Sequence, residues 1–464
     1  MSMSQVRLAV VLTVVACVVV APFSCAYAKT DVQDNVEKRA ENTENDTYKY
    51  LTLFADVLER TRADYVDDVT DEKLVENAIN GMLVALDPHS GYMNKKNYED
   101  MQTQTKGRFG GLGIEVTMED NLIKVISPID DTPAARAGIQ PNDLITHLDS
   151  KPVTELTLGE AVDKMRGTPG TKIILTVRRG GITGQPFDVT LTRDIIQVHA
   201  VRWEQKDDVA YIRIKTFNEQ TQPDLDKALS EIGKKMGNNL SGYVLDLRNN
   251  PGGLLDQAVS VSSSFIDAGK EVVSTRSRHK EDNQSYLSRG GDKTKGLPIV
   301  TLINGGSASA SEIVAGALQD YHRAILLGTK SFGKGSVQTI IPLGNTGAMR
   351  LTTARYYTPS GRSIQQSGIE PDIIVQPAKV EKIDSDKGIR EADLRGALAN
   401  DTVKKKDKRA KDKISSSDEG TDSTKKDGEE KPVDYQLERA LDIIRGIHLY
   451  AKHEPLTKIG EQSE

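Results

Sequence analysis

From residue 196 to residue 376 the chain alternates short apolar runs with stretches of helical period, joined by glycine-bearing turns. No other feature restricts the fold as much, because strand–helix alternation is the pattern of an α/β layer structure. The runs "DVAYIRIKTF", "GYVLDLR", "PIVTLIN", "AILLG", "SVQTIIPL" and "AMRLTTARYYT" read as strands, with "GYVLDLR" buried. Residues 219–236, "GLLDQAVSVSSSFID" and "SASEIVAGALQDYH" read as helices. With one Trp and seven Phe in 464 residues, the interior has to rest on Val, Ile, Leu and Ala.

Residues 103–193 read as a separate, small β-rich domain. Its strands are "GRFGGLGIEV", "NLIKVISPI", "NDLITHLDSKPV", "TKIILTVRRG" and "PFDVTLTR"; "TPAARAG" and "TLGEAVDKMRG" are its helices. Upstream, Leu51, Phe54, Val57, Leu58, Tyr65, Leu74, Ala78 and Met82 fall at helical spacings and predict two helices, with Asp71 near the start of the second. "LDPHSGYM" (86–93) breaks that pattern with Pro and Gly. Residues 29–47 are polar and aperiodic and are expected to be disordered. The expected organisation is a helical region over 29–102, the β-rich domain over 103–193, the α/β core over 194–376, a linker over 377–432 and a terminal segment over 433–464.

The two ends differ from the rest. Arg7, the run "LAVVLTVVACVVVAPF" and Ala26-Tyr27-Ala28 have the three parts of a secretory signal over residues 1–28. The run is short for a membrane span. Cleavage after Ala28 is expected, ahead of an uncleaved anchor or lipidation at Cys25, and the mature chain is expected in the periplasm or cell envelope. Both cysteines, Cys17 and Cys25, lie in this segment, which excludes a disulfide scaffold, a cysteine enzyme or a thiolate metal site in the mature chain. A net charge of -6 argues against nucleic acid as a partner. Residues 379–431 carry Lys, Asp, Glu and Ser without an aromatic and cannot bury enough apolar surface to order themselves. Leu437, Ala440, Leu441, Ile444 and Ile447 then mark an amphipathic helix over 433–450, of the kind that docks on its own or a sister subunit.

Chemistry concentrates in three glycine-bearing segments. "NGGSASASE" (304–312) holds Ser307, Ser309 and Ser311. At about 100° per residue, Ser307 and Ser311 share a helix face and Ser309 points away from both. Ser309 also opens S-x-x-E with Glu312, a capping box, so its hydroxyl has either a structural or a nucleophilic use. The same position, beside unpaired N–H groups and the positive end of the helix dipole, favours a developing oxyanion. The seven histidines are scattered, no serine sits in G-x-S-x-G, and His322 is too far along the helix to face the turn, so nothing supports a Ser-His-Asp triad. A buried lysine can serve as base instead. Lys334 in "SFGKGSVQ" (331–338), between two glycines, is either such a base or a surface turn lysine. "LDLRNNPGG" (245–253) is either a plain βα turn or a source of free N–H groups.

These three segments, in this order, resemble those of the carboxyl-terminal processing peptidases, tail-specific serine proteases with a PDZ domain. "YVDDV", "LVENAINGML" and "LDPHSGYM" are similar to that family's N-terminal helical region, and "GGLGIEV" through "MRGTPGTKIILTVRR" to its PDZ domain; the likeness covers residues 48–376. The implied fold is multidomain α/β (α+β): helical region, PDZ domain, crotonase/ClpP-like α/β serine protease core, charged linker and C-terminal helix. The resemblance implies Ser309 as nucleophile, Lys334 as general base at the family's spacing of 25 residues, and Gln338 as the residue that orients the lysine. It implies the backbone N–H groups of Gly253 and Ala310 as oxyanion donors, and Ser307 and Ser311 as structural.

In the β-rich domain, Gly111, Leu112, Gly113 and Ile114 form a glycine loop ahead of a strand, where N–H groups can cradle a terminal carboxylate. The implied ligand is a peptide with an apolar C-terminus. Arg166 resembles a family arginine that contacts the protease once peptide is bound, which implies a switch in which the empty domain holds the site misaligned. No metal, nucleotide or other cofactor is implied; a homodimer and an adaptor are the expected partners besides substrate. The competing readings are a non-catalytic PDZ scaffold and a crotonase-like acyl-CoA enzyme.

Overall fold

The computed structural model describes residues 30–129, 131–379, 390–391, 394–398 and 433–452, with backbone alone for 30–45. The expected signal segment over 1–28 and most of the linker over 377–432 lie outside the described residues. The chain divides into two compact units, one ending at Met82 and one beginning at Leu83.

The first unit is helical. α1 spans Thr30–Asp64 and α2 spans Asp71–Val84, the last two residues of α2 belonging to the second unit. The helix therefore starts well before Tyr48, correcting the expectation of disorder over 29–47; a helix is closed by local i to i−4 hydrogen bonds and can persist without an apolar stripe to announce it. Tyr50, Leu51, Leu53, Phe54 and Val57 are all exposed.

The second unit opens with β1 (Gly91–Asn94), α3 (Lys95–Lys106) and β2 (Arg108–Gly111). β3 (Ile114–Glu119), β4 (Leu122–Pro128), the short α4 (Pro133–Arg136), β5 (Leu144–Leu148), β6 (Lys151–Pro152), α5 (Leu158–Met165), β7 (Lys172–Arg178) and β8 (Pro186–Thr192) follow. They form one sheet of order β3-β4-β5-β7-β8, with β6 on β5. Its core holds Ile123, Val125, Ile145, Leu175 and Val177 against Ala161 and Met165 of α5. α5 starts on a full capping box, Thr157 with Glu160, which fixes where the groove wall begins. β9 (Asp194–Gln197) returns to pair antiparallel with β2, so chain entry and exit of this domain are joined.

The core then runs β10 (Val201–Lys206), β11 (Val209–Ile214), α6 (Thr221–Met236), a 3-10 turn, β12 (Gly242–Asp246), α7 (Leu255–Ser263), β13 (Glu271–Ser277) and β14 (Gln284–Leu287). It continues with β15 (Ile299–Ile303), α8 (Ala310–Asp320), β16 (Ile325–Gly328), β17 (Ser336–Pro342), β18 (Gly347–Tyr357), β19 (Ile373–Ile374) and α9 (Tyr435–Lys452). β10-β11-β12-β15-β16-β19 make a sheet that is parallel from β11 onward. Successive side chains on a strand point to opposite faces, and both faces here are covered. Ile212, Ile214, Leu245 and Ile303 pack with α6, α7 and α8. Tyr211, Val244, Val300, Leu302 and Leu327 pack with Leu437, Ala440, Leu441 and Ile444 of α9. Arg248 pins the start of α9, bonding Asp434 at 2.9 and 2.7 Å and Gln436 at 3.0 Å.

A second sheet runs β1-β18-β13-β14, with β17 also on β18. It puts "LDPHSGYM", expected in the helical region, against β18, whose neighbour β17 carries Gln338.

Candidate active site

The site forms where the ends of β12 and β15 lie side by side, at the carboxyl edge of a parallel sheet. Residues 247–253 are stitched to residues 307–311. The Ser307 hydroxyl donates to the Leu247 carbonyl at 2.8 Å, and the Ser311 hydroxyl to the Asn250 carbonyl at 2.9 Å. Both serines are 0% exposed, so neither is free for chemistry. The buried Asn250 donates to the Ile214 carbonyl and accepts from the Gly252 N–H, each at 2.9 Å, holding the turn open. Gly252 has φ +97°, and a Cβ there would stand 2.8 Å from Ser309 Cβ and 2.9 Å from Ala310 N. A Cβ on Gly253, at φ +145°, would stand 2.0 Å from the Phe217 carbonyl oxygen. Only glycine allows these two approaches.

Ser309 occupies φ +55°, ψ −112°, a conformation costing roughly 1–3 kcal/mol for a non-glycine residue. It pairs with Glu312 as a capping box, and the strong half of that box is the 2.7 Å bond from the Ser309 N–H to Glu312 Oε2. On the reciprocal side the hydroxyl makes no capping hydrogen bond of ordinary geometry, so it is not committed to the helix. Among the described residues, the N–H groups of Gly253 and Ala310 donate to no acceptor. Two unengaged donors flank the serine at the start of α8, where the dipole is positive.

Glu312 joins this turn to the lysine segment. Its Oε2 also accepts the Lys334 N–H at 2.9 Å, and its Oε1 accepts the Gly333 N–H at 2.7 Å and the Ser331 hydroxyl at 2.6 Å. The carboxylate is 0% exposed and receives four donors, one route by which a buried charge becomes tolerable. Because one oxygen serves both, the backbone nitrogens of Ser309 and Lys334 lie less than about 6 Å apart. Sequence reasoning found Glu312 only as the acid of a local cap; its other donors arrive from residues 331–334.

The Lys334 side chain is half-buried. Burial, and then the Arg350 guanidinium, hold its ammonium below the usual lysine range, while Asp87 and Glu312 pull the other way. No hydrogen bond links Lys334 to Ser309 or to Gln338. The Gln338 amide donates instead to Ser336 Oγ at 2.8 Å and, weakly, to Thr352 Oγ1 at 3.5 Å. Ser309 and Lys334 are thus brought to one locus, and Gln338 to its border. Of the histidines, His89 lies within Coulombic reach of Lys334. His322 falls beyond α8, which ends at Asp320.

In the β-rich domain a groove of about 220 Å³ lies between the glycine loop and α5, lined by Phe109, Leu112, Ile114, Val162, Met165 and Arg166 among others. The N–H groups of Leu112 and Gly113 donate to no acceptor among the described residues. Arg166 stacks over Phe109 at 5.0 Å and donates to Asp100 of α3 at 3.0 Å. Its contact is therefore with α3, not with the serine or lysine segments.

The chain was compared with known proteins. The family model of peptidase family S41 matches residues 208–375, a PDZ domain model matches residues 124–179, and a model of the activating protease CtpB N-terminal domain matches residues 14–97. The chain is similar to a carboxy-terminal-processing protease of Bartonella bacilliformis, 52% identical over 416 residues, which are 89% of this chain and 92% of the relative. It is also similar to the carboxy-terminal processing protease CtpA of Bacillus subtilis, 36% identical over 340 residues, which are 72% of each chain. Among solved structures, the photosystem II D1 C-terminal processing protease is 28% identical over 69% of this chain and 86% of that one, with a TM-score of 0.41.

Proposed function

The chain belongs to the carboxy-terminal-processing proteases of peptidase family S41, serine-type peptidases, and carries a PDZ domain, and from that premise we propose that it is an endopeptidase with Ser309 as nucleophile and Lys334 as general base. Neutral Lys334 takes the proton as Ser309 Oγ attacks the scissile carbonyl. The N–H groups of Gly253 and Ala310 hold the tetrahedral oxyanion. The lysine returns its proton to the leaving amine as the C–N bond breaks, which leaves an ester on Ser309. A water then gives its proton to Lys334 and attacks the ester. The lysine passes that proton to Ser309 Oγ as the acyl C–O bond breaks, releasing the acid product and restoring the serine. No metal or cofactor takes part.

The observation that carries this reading is the shared Glu312 oxygen, which accepts both the Ser309 and the Lys334 backbone N–H. Burial of Lys334 supports it, since lowering the ammonium pKa raises the neutral fraction at a given pH. Gln338 steadies the lysine only after a change from its present bonds to Ser336 and Thr352. The free N–H groups of the glycine loop suit the carboxylate of an apolar substrate tail, and the Arg166–Asp100 bond suits a resting state that a bound tail releases. The pattern over residues 1–28 supports export to the cell envelope. The exposed apolar residues of α1 support a homodimer; the apolar stripe of α9 is taken up by its own sheet.

Incubation of the wild-type chain and of Ser309→Ala with an unstructured, apolar-tailed peptide tests the reading. Cleavage should occur with the first and vanish with the second. Cleavage that persists in Ser309→Ala contradicts the mechanism, and binding without cleavage by either favours a scaffold.

A further inference from the structure

Between α2 and β1 the chain makes a tight turn, Asp87–Ser90, that the mechanism above does not use. Asp87 Oδ1 accepts the His89 N–H at 2.8 Å, the Ser90 N–H at 2.9 Å and the Thr352 hydroxyl at 3.1 Å. Its Oδ2 accepts the Ser90 hydroxyl alone, at 2.7 Å. Two further bonds tie the turn to β18: Thr352 N–H to Ser90 Oγ at 3.0 Å, and Arg350 Nε to the His89 carbonyl at 2.7 Å. These contacts continue the β1–β18 pairing upstream of Gly91 and bring Asp87 to the strand opposite Gln338.

That strand borders the lysine. Thr352 is the cross-strand partner of Gln338 and accepts its amide. The charged groups that act on Lys334 are Arg350 of β18, Asp87 of the turn and Glu312 of α8, and His89 in turn responds to Lys334. Of the two carboxylates, Glu312 has two donors on each oxygen. An ionised carboxylate offers about two acceptor sites on each oxygen. Both carboxylates receive four donors, but Glu312 has both oxygens filled, whereas Asp87 has three donors on Oδ1 and one on Oδ2. Asp87 Oδ2 retains an open lone pair. Serine and backbone donors hold Asp87 ionised although it is partly desolvated.

We propose that Asp87 is a positioning residue for the Lys334 base: its open Oδ2 receives the ammonium whenever the lysine is charged, and the turn that holds Asp87 also sets Gln338 through Thr352. The inference rests on the assignment of Lys334 as base. The group acts through the lysine and touches no substrate. Between proton transfers it holds the ammonium in one place, and the lysine becomes the neutral amine as it gives that proton to the leaving amine or back to Ser309 Oγ.

The test is the pH profile of kcat/KM with an apolar-tailed peptide. The base must be neutral, so activity rises as pH passes the lysine pKa. Removing the negative charge of Asp87 favours the neutral amine, so in Asp87→Asn that rising limb should move to lower pH by about one unit, with a lower plateau. Asn keeps the acceptor that the His89 and Ser90 amides need. Asp87→Ser repeats the test with a different turn-compatible oxygen in case Asn does not fold. Thr352→Val, which removes the tether but no charge, should lower the plateau without moving the limb. A folded Asp87→Asn or Asp87→Ser chain whose limb stays in place overturns the proposal. Full activity in Lys334→Ala would instead overturn the base assignment itself, so the two failures are separable.

Discussion

At the scale of single residues, Glu312 is where fold and chemistry meet. Among the described residues, its carboxylate is the one group bonded to the backbone of both Ser309 and Lys334. Glu312→Gln turns one acceptor oxygen into a donor that faces two donors. The expected outcome is a loss of about 3 kcal/mol in stability, read by chemical denaturation. In the fraction that still folds, kcat should fall about a hundredfold, because displacements near 1 Å cost that much. If kcat is unchanged, the carboxylate does not set the geometry. The sequence pointed to Ser309 and Lys334 through the resemblance of their segments to the family's, while the residues alone left a helix cap and a surface turn lysine open. It showed only the cap at Glu312, because S-x-x-E is a local rule and the Ser331, Gly333 and Lys334 donors come from another turn. Asp87 was hidden for the same reason: its partner Thr352 is brought to it by strand pairing.

At the scale of elements, α9 is the clearest case of a pattern that could be read. Leu437, Ala440, Leu441 and Ile444 recur at helical spacing, and all four are buried against the sheet. Ile447, the last of the stripe, is 37% exposed, because α9 outruns the sheet face it covers. Ile444→Ala should destabilise the core by about 3 kcal/mol through lost burial and a residual cavity. Denaturation midpoints check this; a change below about 1 kcal/mol would mean that α9 is loosely docked. β11, β12, β15 and β16 of the parallel sheet were legible as apolar runs, but the two-residue β19 was not. β10, β13 and β14 were not. β10, "VRWEQK", is an edge strand whose exposed polar side chains mask its period. β13 and β14 pair with each other across a register shift that breaks alternation, and β13's other partner, β18, is distant in sequence.

At the scale of the whole molecule, two ion pairs join the β-rich domain to α3: Arg166 with Asp100, and Asp163 with Lys96. α3 follows β1, which pairs with β18, so the groove is linked to the strand opposite Gln338. If the empty domain restrains the site through this link, Asp100→Ala should raise cleavage of a peptide lacking an apolar tail by about 2- to 30-fold. Cleavage of the tailed peptide should change less. Equal effects on both would show that the link does not sense the tail. The sequence indicated Arg166 through its family likeness, but its partner on α3 depends on how the domains pack, which no local pattern encodes.

The central claim is that Ser309 and Lys334 act as one unit, and kcat/KM for the wild-type chain, Ser309→Ala, Lys334→Ala and the double variant measures it. Residues that act as a unit are not additive. The account predicts that each single variant loses at least about a thousandfold and that the double variant loses no more than either single one. Substantial cleavage by Lys334→Ala, or a double variant far below both single variants, would contradict it.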